Sequence, residues 1–142
     1  MTDRSFPGTL ESIAPIRDFV AEAAERAGLD RKATYRLCLA VDEVVTNVVL
    51  HGYEEAGRSG GLDVAVDVDE RAITVRVEDD AAPFDPRAHA DPTSEELGSP
   101  LEERRIGGLG LMLAKGGVDE LRYERVRERN RNVFVVRRRP AV

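Results

Sequence analysis

Glu43, Asn47 and His51 stand four residues apart in the stretch Val41-Asp42-Glu43-Val44-Val45-Thr46-Asn47-Val48-Val49-Leu50-His51. In a helix they form one row along the axis, while Leu37, Val41, Val44 and Val48 take the buried side. A carboxylate and a carboxamide one turn apart at the edge of a core are costly to half-bury unless they meet a ligand, a metal or each other. The carboxylate could accept a proton from an attacking hydroxyl or water. The amide oxygen suits a hard cation such as Mg²⁺, which takes oxygen ligands and keeps waters. Taken alone, the spacing also arises on any amphipathic helix with a polar outer face. It gains weight only if the chain supplies an acidic strand end and a glycine-rich helix start.

Both are present. An alternating segment runs into Glu78-Asp79-Asp80, where the Asp79 carboxylate could accept the amino hydrogens of an adenine or simply cap the strand end. Further on, Gly107-Gly108-Leu109-Gly110 precedes Leu111-Met112-Leu113-Ala114. Glycines at a helix start let backbone N–H groups approach phosphate oxygens, and the helix dipole favours their charge; a tight helix entry uses the same residues. Neither G-x-x-x-x-G-K-[ST] nor a G-x-G-x-x-G fingerprint after a strand occurs, and the H-R-D and D-F-G kinase signatures are missing.

The elements that must position these groups follow from periodicity. Residues 3 to 9 carry Pro7 and Gly8 and fit an edge strand or extended arm. Apolar residues from 10 to 27 recur at three and four, predicting a first helix stopped by Gly28. Asp30 is a good N-cap for a second helix, which runs to about Leu50 and is ended by His51-Gly52. Residues 53 to 61 read as a loop. Residues 62–68 and 73–77 alternate strictly, an antiparallel hairpin across Asp69-Glu70-Arg71 with one buried face. The stretch 81–106, with four prolines and many acids, is long enough to be functional or disordered. After a short helix stopped at Gly116-Gly117, residues 118–126 and 132–136 read as two strands joined by a charged turn. The arginines between 122 and 139 alternate with Val and Tyr and read as a solvated face.

At 142 residues and 42% apolar content, the chain has the size of one domain with a core of its own. A net charge of -6 and a pI near 5.0 argue against nucleic acid as the main partner and for a protein or small ligand. Met1-Thr2-Asp3-Arg4-Ser5 contains no apolar signal region, and no run approaches the ~20 apolar residues that span a bilayer. A cytoplasmic protein that stays off the membrane is expected. The single cysteine, Cys38, lies in the apolar run of the second helix and reads as a buried structural thiol.

Taken in order, Glu43-x-x-x-Asn47-x-x-x-His51, Asp79-Asp80-Ala81-Ala82-Pro83-Phe84-Asp85-Pro86 and Gly107-Gly108-Leu109-Gly110-Leu111 resemble the N, G1 and G2 boxes of the GHKL ATP-binding superfamily. The likeness is strongest to its small anti-sigma-factor serine kinases of the RsbW and SpoIIAB type, and covers about residues 10–138. It implies an α/β (α+β) fold: a two-layer sandwich whose mixed, mostly antiparallel sheet is covered on one face by about three helices. The whole chain, 1–142, would be one ATP-binding domain with an ATP lid at about 81–106.

Carried over by position, Glu43 would be the general base, Asn47 the Mg²⁺ ligand and Asp79 the residue that binds the adenine amino group. His51 matches the histidine that ends the N box. Gly107, Gly108, Leu109 and Gly110 would hold the phosphates, which Arg104 or Arg105 would reach. One departure stands in the G1 box: Ala81 takes the place of a glycine, so backbone approach near the adenine is expected to alter, with the pocket surviving one methyl group. The implied activity is an ATP- and Mg²⁺-dependent serine/threonine kinase that sequesters a sigma factor and phosphorylates a STAS-type antagonist, in a family that often works as a homodimer. The alternative is a non-catalytic ATP-binding switch module, for which Ala81 is the motive. The catalytic domain of a sensor histidine kinase ranks last, because no phospho-acceptor helix hairpin precedes the first box.

Overall fold

The structure, a computed structural model, describes residues 2–86 and 117–138. Strands β1 (Thr2–Pro7), β2 (Gly61–Val68), β3 (Ala72–Asp79), β4 (Glu120–Val126) and β5 (Arg129–Arg137) form one sheet in the order β1-β2-β3-β5-β4. Period-two alternation decides its faces: Leu62, Val64, Val66, Ile73, Val75, Val77, Phe134 and Val136 are buried on one side. Helices α1 (Ile13–Arg26) and α2 (Arg31–Asn47) cover that side with Ile16, Val20, Leu37, Val41 and Val44. This is the expected two-layer α/β sandwich. Where a partly mixed sheet was expected, every described pairing is antiparallel. Two helices separate β1 from β2, so the chain reverses three times and returns antiparallel; one crossover helix, with two reversals, would have made a parallel pair. The third helix expected after Gly110 lies outside the described residues.

The helix ends follow local chemistry. Gly28 adopts φ +80, and the Gly28 and Leu29 N–H groups donate to the Glu25 and Ala24 carbonyls, closing α1 in a Schellman motif. The Asp30 carboxylate accepts the Ala33 N–H at 2.8 Å and caps α2. Arg17 Nε pairs with Asp42 Oδ2 at 2.8 Å and ties the two helices together. Cys38 is buried between them, and burial, with Asp42 nearby, pushes its thiol up to about 11, as befits an inert packing residue.

One boundary differs from expectation. His51-Gly52 does not end the second helix; it continues as a π-helical segment, Val48–Glu54, with Glu55 N–H donating to the Leu50 carbonyl. Gly52 is buried inside it, so this glycine serves close packing and not a C-cap. Tyr53, assigned to a loop from sequence, is helical and buried.

The other sheet face is charged. Ser5, Asp63, Glu78, Arg131 and Glu124 lie opposite one another across all five strands, and Arg131 pairs with Glu124 at 2.9 Å. Arg129 and Arg131 of β5 thus lie on a solvated, acid-paired face, as the sequence implied. The hairpin β4–β5 turns through Arg127 and Glu128, both left-handed at φ 52 and φ 64. Non-glycine residues are strained there, and this two-residue turn favours Asn-Gly. Replacing Arg127-Glu128 by Asn-Gly is expected to raise the unfolding free energy by about 1 kcal/mol, read as a higher urea midpoint at unchanged slope. A lower midpoint would show that the Arg127 and Glu128 side chains hold the turn.

Candidate functional site

The second helix presents the Glu43–Asn47 pair on one ridge. Asn47 is buried, and its Nδ2 donates to the Glu43 carbonyl at 2.7 Å, which leaves its amide oxygen for another partner. Glu43 is half-buried; burial, and then the neighbouring Asp42 carboxylate, raises its pKa above the ordinary carboxylate range. A carboxylate shifted in that direction is a stronger proton acceptor near neutral pH. His51 stacks its ring on Phe84 at 6.4 Å between centroids, and its Nδ1 lies 2.7 Å from Glu55 Oε2. Among the described residues no group of three or more His, Cys, Asp or Glu side chains is placed to hold a metal. A cation such as Mg²⁺ usually keeps several waters and takes oxygens from a phosphate ligand beside one or two protein groups.

Asp79 ends β3 and is wholly buried. Its Oδ1 accepts the Ala81 N–H at 2.9 Å and Asn130 Nδ2 at 2.8 Å, whereas its Oδ2 is buried with no partner. Of the two oxygens, Oδ1 caps the strand end and Oδ2 remains an unused acceptor. Burial raises the Asp79 pKa, partly offset by the Asn130 and Ala81 hydrogen bonds and by the charges of Arg125 and Arg129. Asn132 Oδ1, buried on the same face of β5, also lacks a partner.

The turn after Asp79 is clamped from both layers. Tyr53 from the π-helical segment donates its hydroxyl to the Gly61 carbonyl at 2.7 Å and accepts the Asp80 N–H at 2.9 Å. From the hairpin, Arg125 Nη1 donates to the Ala81 carbonyl at 2.9 Å and Asn130 Nδ2 to the Ala82 carbonyl at 2.9 Å. On the outer face Arg129 joins Asp80 at 2.8 Å and Asp63 at 2.7 Å.

Ala81 is accommodated without strain. Among the described non-glycine residues only Arg127 and Glu128 have positive φ, so this position does not demand glycine for its backbone. Its methyl is buried against Gly52: a Cβ built on Gly52 would lie 2.6 Å from it. The departure in the G1 box is absorbed by the helix glycine that faces it.

The structure thus brings the helix end that follows Glu43 and Asn47 against the Asp79 turn through three pairs: Gly52 with Ala81, Tyr53 with Asp80, and His51 with Phe84. Arg104, Arg105, Gly107, Gly108, Leu109 and Gly110 lie outside the described residues. Sequence reasoning missed Asn130 and Tyr53. Asn130 stands directly opposite Asp79 in the β3–β5 register, a signal that emerges only once the strands are paired.

Residues 6–137 match the family described as the histidine kinase-like ATPase domain, and the chain belongs to that family. Among its relatives is the serine-protein kinase RsbW of Listeria innocua serovar 6a, 32% identical over 117 residues that span 82% of this chain and 74% of the relative. The fold matches the RsbU and RsbW domains of Rv1364c from Mycobacterium tuberculosis with a TM-score of 0.62 at 18% identity, over 99% of this chain but only 34% of that one. It matches a chain of the SiaB-SiaC complex from Pseudomonas aeruginosa with a TM-score of 0.63 at 14% identity, over 96% and 89% of the two chains.

Two measurements test this packing. Gly52→Ala is expected to cost about 2 kcal/mol of stability through overpacking, with a penalty smaller by about 1 kcal/mol in an Ala81→Gly background. Additive effects in that double-mutant cycle would show that the two positions do not share space. Asp79→Asn removes a buried, half-satisfied charge and is expected to stabilise the fold by about 1 kcal/mol near neutral pH. Because folding raises the Asp79 pKa, the native state binds its proton more tightly, so wild type gains on the variant as pH falls from the raised pKa towards the ordinary range. A gap that widens on acidification would contradict this.

Proposed function

We propose that this chain is an ATP-dependent protein serine/threonine kinase of the anti-sigma type, which sequesters a sigma factor and phosphorylates a small STAS-type antagonist. The observation that carries the proposal is the buried Asp79 carboxylate, one oxygen tied into the fold and the other unpartnered, at the turn against which the continuation of α2 packs. An unpaired buried acceptor is costly unless a donor arrives, and the exocyclic amino group of adenine is such a donor. The kinship to serine-protein kinases named RsbW supports the same activity.

In this reading Asp79 orients the base and the amide oxygen of Asn47 holds Mg²⁺. When bound, the metal neutralises charge on the transferring phosphoryl group. Glu43, its basicity raised by burial, takes the proton of the acceptor serine or threonine hydroxyl. His51, stacked on Phe84, supports the end of the row. Gly107, Gly108, Leu109 and Gly110 cradle the phosphates, Arg104 or Arg105 reaches them, and the stretch 81–106 serves as the lid of a single domain. The braced carbonyls of Ala81 and Ala82 would set where that lid begins. The steric motive for a non-catalytic module weakens, since the Ala81 methyl is buried against Gly52.

Calorimetric titration of wild type with ATP is expected to give Mg²⁺-dependent binding that Asn47→Ala loses. Glu43→Gln is expected to keep ATP affinity while phosphate transfer to the antagonist falls by about 10²–10⁴-fold. ATP binding equally strong with and without Mg²⁺ would remove Asn47 from its role. Undiminished transfer by Glu43→Gln would remove Glu43.

A further inference from the structure

Asn130 is buried in the middle of the polar cluster on the helix-facing side of the β4–β5 hairpin, and the activity proposed above gives it no part. Its Nδ2 faces three acceptors: Asp79 Oδ1 at 2.8 Å, the Ala82 carbonyl at 2.9 Å and the Ala81 carbonyl at 3.2 Å. Its Oδ1 faces two donors, the Tyr123 hydroxyl and the Phe84 N–H. Only one orientation of the carboxamide turns its two N–H donors to the acceptors and its oxygen to the donors, so nitrogen and oxygen are assigned by their neighbours.

The consequence concerns Asp79. A carboxylate at a strand end rotates about its last torsion unless something holds it, because that torsion is broad. Two hydrogen bonds converge on Oδ1, one from the Ala81 N–H in its own turn and one from Asn130 on the neighbouring strand. Together they fix the carboxylate plane and leave Oδ2 as the buried, unpartnered end of the acceptor. The same amide holds the carbonyls of residues 81 and 82, so strand end and turn move as one body.

We propose that Asn130 is a positioning residue for base recognition: it aims Asp79 Oδ2 at the exocyclic amino group of the adenine and thereby sets the preference for nucleotides that carry that group. The proposal rests on the reading that Asp79 receives the adenine. Asn130 itself touches no nucleotide in this scheme; it acts through Asp79.

The test compares ATP with purine riboside triphosphate, which lacks the exocyclic amino group, on the full chain in the presence of Mg²⁺. A charge-assisted hydrogen bond made by Oδ2 is expected to give wild type an affinity for ATP about tenfold higher than for the analogue. Asn130→Ala is expected to bring ATP affinity down to that of the analogue while analogue affinity stays within about twofold of wild type. Should Asn130→Ala not fold, as judged by thermal melting, Asn130→Thr replaces it. Threonine suits a strand, and its single hydroxyl cannot serve both Asp79 and the turn carbonyls, so it too is expected to lose most of the preference.

A merely structural role for Asn130 would weaken both nucleotides by the same factor, and that outcome overturns the proposal, as does an ATP preference kept intact in the variants. Asp79→Ala separates this failure from that of the underlying reading. If it abolishes the preference while the Asn130 variants retain it, the positioning role alone falls. If wild type shows no preference, or Asp79→Ala keeps it, the assignment of Asp79 falls too.

Discussion

The burial of one carboxylate constrains the rest of this fold. An ionised group taken out of water is tolerated only with close hydrogen bonds, and Asp79 has them on Oδ1 alone. One donor comes from the adjacent turn, the other from Asn130, which stands opposite Asp79 in the register of β3 and β5. That pairing has a strict consequence for strand alignment. A slip of one residue would turn Asn130 to the solvated face and leave Asp79 short of a donor, along with moving Phe134 and Val136 out of the core. The polar end and the apolar middle of β5 therefore specify the same register.

The helical layer is fitted to that turn by space as much as by polarity. Tyr53 can reach both Gly61 and Asp80 because glycines surround its ring: a Cβ on Gly8 would lie 2.6 Å from it, and one on Gly60 2.9 Å. Gly52 leaves room for the Ala81 methyl in the same way. The π-helical segment matters here because widening the last turns of α2 changes which residues face the sheet. Through Tyr53 and Gly52 the position of Asp79 is tied to the helix that carries Glu43 and Asn47, so the row and the acid are held as parts of one frame.

Much of this was legible in the residues. The alternation at 62–68 and 73–77, the Asp30 cap and the Gly28 stop all correspond to elements whose chemistry is local. The end of the second helix was not legible: Gly52 looks like a stop because glycine commonly ends helices, whereas here it answers a neighbour 29 residues away in sequence, Ala81. Tyr53 was hidden for the same reason, since its partners lie on β2 and beyond β3. Glu43 and Asn47 were legible as a ridge because four-residue spacing on a helix is itself geometry. Asn130 was not, because a lone asparagine in a charged turn carries no meaning until the opposite strand is known.

The arginines of the hairpin show where a finer use of the same rule would have reached further. Taken together from composition they form one solvated face, and individually such exposed ion pairs contribute at most about 1 kcal/mol. Yet Glu120, Arg122 and Glu124 alternate with Leu121, Tyr123 and Arg125, so Arg125 must face the helices if Leu121 does. It pairs in register with Asn130 and donates to the Ala81 carbonyl, while Arg122, Arg129 and Arg131 bind acids on the outer side. Period-two geometry thus divides one basic run into two functions: an outer set that balances the acids of the sheet, and the inward Arg125, which shares with Asn130 the task of holding the turn beside Asp79.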